Sequence, residues 1–539
     1  MILIEVALAL ILAVALVGAA ARRFPVPLPI LLILAGVALS FAPHLGALEL
    51  DPEIFFLLFI PPLLFADGWQ FPKREFVVLR YSILLLAFGL VLATTLVVGY
   101  VVHWLIPAVP LAAAFALGAV ISPTDAVAVT EVTHKLRLPP RMSAVLSGES
   151  LINDASGLVA FKFAVAAVVT GAFSLGQATL SFLLLAGGGA LVGLIVAFCI
   201  QWLRLQLQRR GMEDPSVQIA LSLLTPFAAY LAAETLQVSG ILSVVASGIY
   251  AGIDDNKHLT LETRLKAWDV WEMVLFVLNG LVFLILGLQL RRVLQGIAGY
   301  SAVELAGYAL AVSITVVVVR LAWVFPGSRI ALWLNRLHYP NLPAPRWRDV
   351  VITGWAGIRG AVTLAAALSL PLVAGAKPFP ERDLLIFLAT SVIVFTLVVN
   401  GLSLPWLIRR LRVTDDGAVE REERAARIAI SHAAIRDLRA RMDHQQQTED
   451  HEFTLGLIRE YERQAQHITQ SEDESTRAAT ARIDGERVIR LHGVAAERAA
   501  LRELHQSGKI NEQILFALQR ELDYQEASLR IRASTPEHG

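Results

Sequence analysis

The chain has 539 residues, 56% of them hydrophobic and 17% charged, with a mean hydropathy of +0.60. Ordinary soluble domains carry about a quarter charged residues, so a chain this apolar and this long needs lipid around it. The net charge of zero hides an asymmetry: 28 of the 46 basic and 22 of the 46 acidic residues lie up to Arg412, which leaves +6 in that part and −6 after it.

The first 20 residues form an apolar run with Arg22 and Arg23 after it, not before it, and no small-residue cleavage site stands out. This predicts a first membrane helix, not a cleaved leader. A span needs roughly 20 mostly apolar residues, and backbone groups without water partners force such runs into helices. Runs and breaks then predict helices near 2–20, 27–43, 53–71, 80–104, 110–130, 142–170, 177–203, 216–234, 238–252, 268–290, 301–325, 350–372 and 384–408, about 13 in all. The only cysteine, Cys199, sits in an apolar run, so no intrachain disulfide can form.

The basic residues orient this set. With the first helix starting outside, 21 fall in inside loops, among them Arg22, Lys73, Lys135, Arg137, Lys257, Arg346 and Arg412, and four (Arg291, Arg292, Lys377 and Arg382) fall outside. A wrong count would interleave the charges. The N-terminus is therefore expected outside and the segment after Arg412 in the cytoplasm.

Two spans carry breaks. The fifth holds Ser122-Pro123-Thr124-Asp125, and proline inside a helix costs ~3 kcal/mol or more. The twelfth holds Gly354, Gly357 and Gly360 around Arg359, and each glycine weakens a helix by about 1 kcal/mol relative to alanine. The breaks lie seven spans apart, so their helices run in opposite directions. That pattern points to two inverted repeats, spans 1–6 and 8–13, with crossing broken helices. Asp125 would compensate the helix N-termini at the crossing and Arg359 the C-termini. The bland alternative is two kinked packing helices with both charges satisfied structurally.

The sixth span begins Ser147-Gly148-Glu149-Ser150-Leu151-Ile152-Asn153-Asp154. Ser150 and Asp154 are four apart on one face, and Glu149 and Asn153 share the neighbouring face. Charges inside spans are costly and mark functional positions. A cation site needs hard oxygen ligands, which Asp154, Ser150 and the unwound backbone near Thr124 can supply. A structurally paired buried carboxylate is the alternative for Asp154. Lys162 pairs with a carboxylate or snorkels outward, and Arg320, near the inner end of the eleventh span, is expected to snorkel or cap.

These residues carry a resemblance. Ser-Pro-Thr-Asp at 122–125, Gly-Glu-Ser-Leu-Ile-Asn-Asp at 148–154 and Gly-Ile-Arg-Gly at 357–360 resemble the NhaP-like sodium/proton exchangers, a branch of the monovalent cation:proton antiporters that includes the animal plasma-membrane exchangers. Phe-Ile-Pro-Pro-Leu-Leu-Phe at 59–65, and Ala232-Ala233-Glu234 with Ser239-Gly240-Ile241-Leu242, are similar to further motifs of that family. The resemblance covers roughly residues 1–412. It implies an antiporter of the plasma (inner) membrane that binds Na+ or a proton at Asp154, with Thr124 and Ser150 as cation ligands and Asp125 neutralising the crossing. It also implies a structural ion pair between Glu149 and Arg359, electroneutral exchange from the Asn153–Asp154 pair, and a homodimer. Some relatives carry an acidic residue four positions after the second proline of the third span. Here that position is Ala66, and Asp67 follows. One residue rotates a side chain by about 100°, so Asp67 is expected to miss the site and, with Lys162, is a secondary candidate.

After Arg412 the chain turns charged. Ala425 to Met442 and Ala499 to Ile531 carry apolar residues at helical spacing, with Gly508 and Asn511 suggesting a turn. The expectation is an all-α polytopic membrane protein with two domains: a transmembrane domain over 1–412 and a helical cytoplasmic domain over 413–539. Seven of the 12 histidines fall in the latter, which suits a pH or partner sensor as well as an ordinary surface. No cofactor, no P-loop, no zinc spacing and no basic nucleic-acid patch is indicated. The favoured activity is Na+/H+ antiport, with no covalent chemistry and hence no enzyme. A K+/H+ exchanger, a cation channel and a receptor anchored by its membrane part are the rivals.

Overall fold

The computed structural model describes residues 2–21, 23, 26–41, 51–71, 73–133, 136, 138–171, 175–375, 377–413, 418–444, 448–470, 476–507 and 512–531. Arg22, Lys135 and Arg137 of the charge count, the side chain of Lys257, and the turn expected at Gly508 and Asn511 lie outside them. The chain separates into two compact units, Met1–Asp415 and Asp416–Gly539.

The first unit runs α1 (Ile2–Ala21), α2 (Leu28–Leu39), α3 (Pro52–Trp69), α4 (Lys73–Leu84), α5 (Val91–Leu105), α6 (Leu111–Val120), α7 (Ala126–Thr133), α8 (Pro140–Thr170) and α9 (Leu175–Arg209). It continues α10 (Pro215–Thr235), α11 (Gly240–His258), α12 (Leu261–Gly296), α13 (Ala302–Arg336), α14 (Trp347–Trp355), α15 (Ala361–Leu368), α16 (Arg382–Phe395) and α17 (Leu402–Leu411). A π-helical turn joins α4 to α5 over Leu85–Leu90 and another joins α16 to α17 over Thr396–Gly401. Among the described residues, eight helical segments are long and apolar enough to cross a membrane, and four shorter apolar helices accompany them. Among the described residues of this unit, one strand pair accompanies the helices: antiparallel β1 (Val373–Ala374) and β2 (Lys377–Pro378), with Gly375 between them at φ +64°.

Local chemistry sets the ends. Asp51 accepts from the backbone N–H groups of Glu53 and Ile54 at the start of α3, and Asp214 does the same for α10. Ser301 and Glu304 form a reciprocal capping box on α13. Leu8, Leu12 and Leu16 are 60% or more exposed at helical spacing on α1, the stripe expected of a helix facing lipid. Helices α1–α3 and α9–α12 pack on one another as a panel, and α4–α8 with α13–α17 form a bundle. The panel is tight: a Cβ on Gly36 would lie 2.1 Å from the Leu284 carbonyl oxygen, and one on Gly287 2.1 Å from that of Ile33. The seam between panel and bundle brings α3 and α11 against α8, and α3 and α12 against α15.

Inside the bundle the chain breaks twice, between α6 and α7 and between α14 and α15. The two breaks meet: the Asp125 N–H donates to the Ile358 carbonyl at 2.8 Å. Arg359 turns back on the helix C-termini, donating from Nε to Ile121 O at 3.0 Å and from Nη1 to Gly357 O at 2.5 Å. Arg320 does the same for α14, reaching Gly354 O at 3.2 Å and Thr353 O at 3.1 Å. A Cβ on Gly357 would stand 2.4 Å from Arg320 Cδ, so this glycine opens the space for that side chain.

The ion pair expected between Glu149 and Arg359 is therefore corrected. Both carboxylate oxygens of Glu149 are taken by Arg320, Oε1 by Nη1 and Oε2 by Nη2 at 2.9 Å, and both side chains are fully buried. Arg359 is occupied by carbonyls, and the bidentate fork of Arg320 fits the carboxylate better than a single contact could. Arg320 is no snorkelling residue. The helix expected over 301–325 continues to Arg336, which puts Arg320 at mid-helix, where it is buried.

The second unit contains two helix pairs, α18 (Ala418–His444) with α19 (Thr448–Gln470) and α20 (Thr476–Gln506) with α21 (Glu512–Ile531). Arg439–Glu462 bridges the first pair at 2.6 Å, and Arg498 bridges the second to Asp523 and Glu526, each at 2.6 Å. Of its histidine side chains, His432 and His492 are described, and both are exposed.

Removing one partner of a buried pair costs about 3–5 kcal/mol because the other charge is left unpaired. Arg320→Met and Glu149→Gln should each lower the thermal midpoint of the purified protein sharply, and the double variant should lose much less than the sum. The same cycle for Glu149 and Arg359 should show the weaker coupling; the reverse ranking would contradict the assignment.

Candidate functional site

The site grows out of α8 where it passes the first break. Proline at 123 cannot continue α6, and the chain runs non-helical through Ser122-Pro123-Thr124-Asp125 before α7 starts. Gly157 of α8 lets this stretch come close: a Cβ there would sit 2.7 Å from the Pro123 ring. The unwound segment is then tied to α8 by polar contacts. Ser150 Oγ donates to Thr124 O at 2.8 Å and accepts from the Ala126 N–H at 3.3 Å. Asn153 Nδ2 donates to Thr124 Oγ1 at 2.8 Å, and that hydroxyl donates on to Glu149 Oε1 at 3.3 Å.

Asp125 serves the other polarity of the crossing. Its carboxylate accepts from the Ala128 N–H at 3.0 Å, with the N–H groups of Val127 and Ala361 also directed at it. These belong to the first turns of α7 and α15, so one carboxylate meets two positive helix ends. Gly360 makes this possible, since a Cβ there would overlap Asp125 Oδ2 at 1.7 Å.

Asp154 is different. It is buried on α8, and among the described residues no side chain or backbone N–H donates to its carboxylate. The charges acting on it are the carboxylates of Asp67, Asp125 and Glu149. Asn153 Oδ1, next to it, is buried and likewise without a donor. The arrangement gathers oxygens and negative charge at a point where, among the described residues, no cationic side chain answers them.

Asp67 lies closer to this cluster than the sequence suggests. The Phe65 carbonyl packs on Gly248 of α11, and the Trp69 indole donates to Asp255 of the same helix at 3.1 Å. Those two positions, four apart, face α11. Asp67, about 200° round from Phe65, faces the other way. Its carboxylate interacts with those of Asp125 and Asp154 across the seam. Lys162 stays apart from the cluster: its ammonium bonds Glu234 Oε1 at 2.6 Å and lies 5.8 Å from the Tyr230 ring. Thr124, Asp125, Ser150, Asn153 and Asp154 are thus brought together, with Glu149 linked to them through Thr124. Sequence reading named Arg320 without its partner Glu149 and missed Asn400, whose Nδ2 donates to the Trp355 carbonyl at the end of α14 at 3.0 Å. The signal for Asn400 was an amide inside an otherwise apolar span.

Comparison with known proteins places this geometry. Residues 9–410 match the family model described as sodium/hydrogen exchanger, transmembrane. The chain is 40% identical to the sodium, potassium, lithium and rubidium/H(+) antiporter of Bacillus pumilus (strain SAFR-032), over 96% of this chain and 77% of that protein. It is 37% identical to the uncharacterized Na(+)/H(+) exchanger YjcE of Escherichia coli (strain K12), over 96% and 97%. The fold is similar to the sodium proton antiporter MjNhaP1 from Methanocaldococcus jannaschii, with a TM-score of 0.58 at 18% identity over 76% of this chain and 99% of that one. The chain belongs to the sodium/hydrogen exchanger family and is an NhaP-like monovalent cation:proton antiporter.

Proposed function

We propose that the protein exchanges Na+ for H+ by alternating access at Asp154, one cation for one proton. The observation that carries this is the unanswered carboxylate: among the described residues of the bundle core, Glu149 and Arg320 answer each other, Arg359 meets carbonyls and Asp125 meets helix N–H groups, and Asp154 has no such partner. A buried carboxylate in that position is stable only when it holds a proton or a cation. Thr124 and Ser150 supply further oxygens for Na+, and Asn153 Oδ1 lies beside them. Asp67, on α3 of the panel, adds a further carboxylate that acts on Asp154.

The wider reading follows the same line. Thirteen passes arise when α4 with α5, α6 with α7, α14 with α15, and α16 with α17 each count as one. The N-terminus then lies outside the plasma (inner) membrane and the tail in the cytoplasm, and the two halves form inverted repeats around the crossing. Two copies of the chain would assemble as a homodimer, as the family resemblance implies. A second reading is K+/H+ exchange, favoured by one observation: the Bacillus pumilus relative is named for sodium, potassium, lithium and rubidium. Oxygen ligands of this kind do not by themselves separate Na+ from K+. The tail's regulatory ligand or partner has no structural candidate among the described residues.

Two outcomes test this. Asp154→Asn should insert normally yet abolish proton movement driven by Na+, K+ or Li+ in inverted vesicles; wild-type-like exchange by that variant refutes the mechanism. In proteoliposomes with an imposed diffusion potential and no pH gradient, the potential alone should drive no Na+ uptake, because Asp154 carries the same charge loaded with either ion. Lys162 is engaged with Glu234, which leaves Asp67 as the group able to carry a second proton. If uptake is driven by the potential, one-for-one exchange is wrong, and loss of that uptake in Asp67→Asn would assign the extra proton.

A further inference from the structure

Eight residues beyond Asp154 on α8, about 12 Å along the helix at 1.5 Å per residue, stands Lys162. An ammonium there would repel any cation approaching Asp154 from that end. The structure neutralises it from across the seam. Glu234, near the C-terminal end of α10, bonds the ammonium at 2.6 Å, and Tyr230, one turn earlier on α10, places its ring 5.8 Å from it. Glu234 is itself held against the start of α11: a Cβ on Gly240 would come within 3.0 Å of its Oε1. Lys162 belongs to the bundle and Glu234 to the panel, so two long side chains bridge the gap between the two layers. Both lie at the end of the seam opposite the Arg209–Arg210 turn that precedes α10.

The pair is built to open. Its side chains are 44% and 39% exposed, so neither charge is closed off from other partners once they part. The buried Glu149–Arg320 pair, by contrast, joins two helices of the same layer.

We propose that the Lys162–Glu234 pair is the gate at this end of the cation path, bridging the seam while α8 stands as it does here and parting when the bundle moves against the panel. Opened, it removes the ammonium from the approach to Asp154 and leaves the Glu234 carboxylate to receive the incoming hydrated cation. Lys162 and Glu234 act on transport without touching Asp154. The inference rests on the alternating-access reading above, and its test separates the two.

The full chain in proteoliposomes, with Cys199→Ser, Lys162→Cys and Glu234→Cys, is bridged by a bis-methanethiosulfonate reagent matched in length to the two lost side chains. Bridging should lower Na+-driven proton flux by about tenfold or more, and reduction should restore the unbridged rate, while single-cysteine proteins given the same reagent keep theirs. A carrier shown by mass to be bridged that still exchanges at the unbridged rate overturns the gate and leaves antiport intact. Unsubstituted protein that moves no protons on Na+ addition overturns antiport itself. Should the double cysteine protein be too slow before bridging, charge reversal decides. Lys162→Glu or Glu234→Lys alone should slow exchange and the two together should recover it; equal rates in all three overturn the gate.

Discussion

A backbone that leaves helical geometry inside a bilayer has to find partners for its N–H and C=O groups within the protein, because lipid offers none. Two such interruptions in one bundle are tolerable only if their ends answer one another, and the rest of this structure follows from how they do. The carbonyl ends are met by guanidinium groups, Arg359 at Ile121 and Gly357 and Arg320 at Thr353 and Gly354. The N–H ends converge on Asp125. Two direct backbone and hydroxyl ties, Asp125 to Ile358 and Ser150 to Thr124, fix the unwound segments against each other and against α8.

This settles a division of labour among the buried charges. Arg359 and Asp125 belong to the crossing. Arg320 belongs half to the crossing and half to Glu149, so α8, α13 and α14 are held by one side chain. What is left over is Asp154, on the same helix as Glu149 and a turn and a half further along, facing the seam where α3 contributes Asp67. A structure with all its carboxylates answered would be more stable and could carry nothing. The unanswered one stands beside the crossing, and the close approach allowed by Gly157 and Gly360 is what brings the oxygens of Thr124 and the charge of Asp125 near it.

Much of this was written locally in the sequence. Proline at 123 and glycines at 354, 357 and 360 interrupt helices wherever they fall, so both breaks were legible without any contact information, as was the cluster from Glu149 to Asp154, whose members share one helix. Partner choice was not legible. Glu149 lies 171 positions from Arg320, and an arginine near the apparent end of a span reads as an interfacial one. The length of α13 was the misleading step: its apolar character continues past Pro326 through Ile330, Leu332 and Trp333, which moves Arg320 to the middle of the helix. The direction in which Asp67 points was not legible for a related reason. Its offset from Pro62 says where it points relative to its own helix, but only the packing of Phe65 and Trp69 on α11 says which way that helix is turned.

The central claim is that a cation and a proton compete for the Asp154 carboxylate. Proton release on binding tests it without any membrane gradient. Purified protein in weakly buffered detergent solution is titrated with NaCl while pH and bound Na+ are both followed. The account predicts a proton released for each Na+ bound, with apparent Na+ affinity falling as pH is lowered. Na+ binding that releases no proton and keeps the same affinity across pH would contradict it.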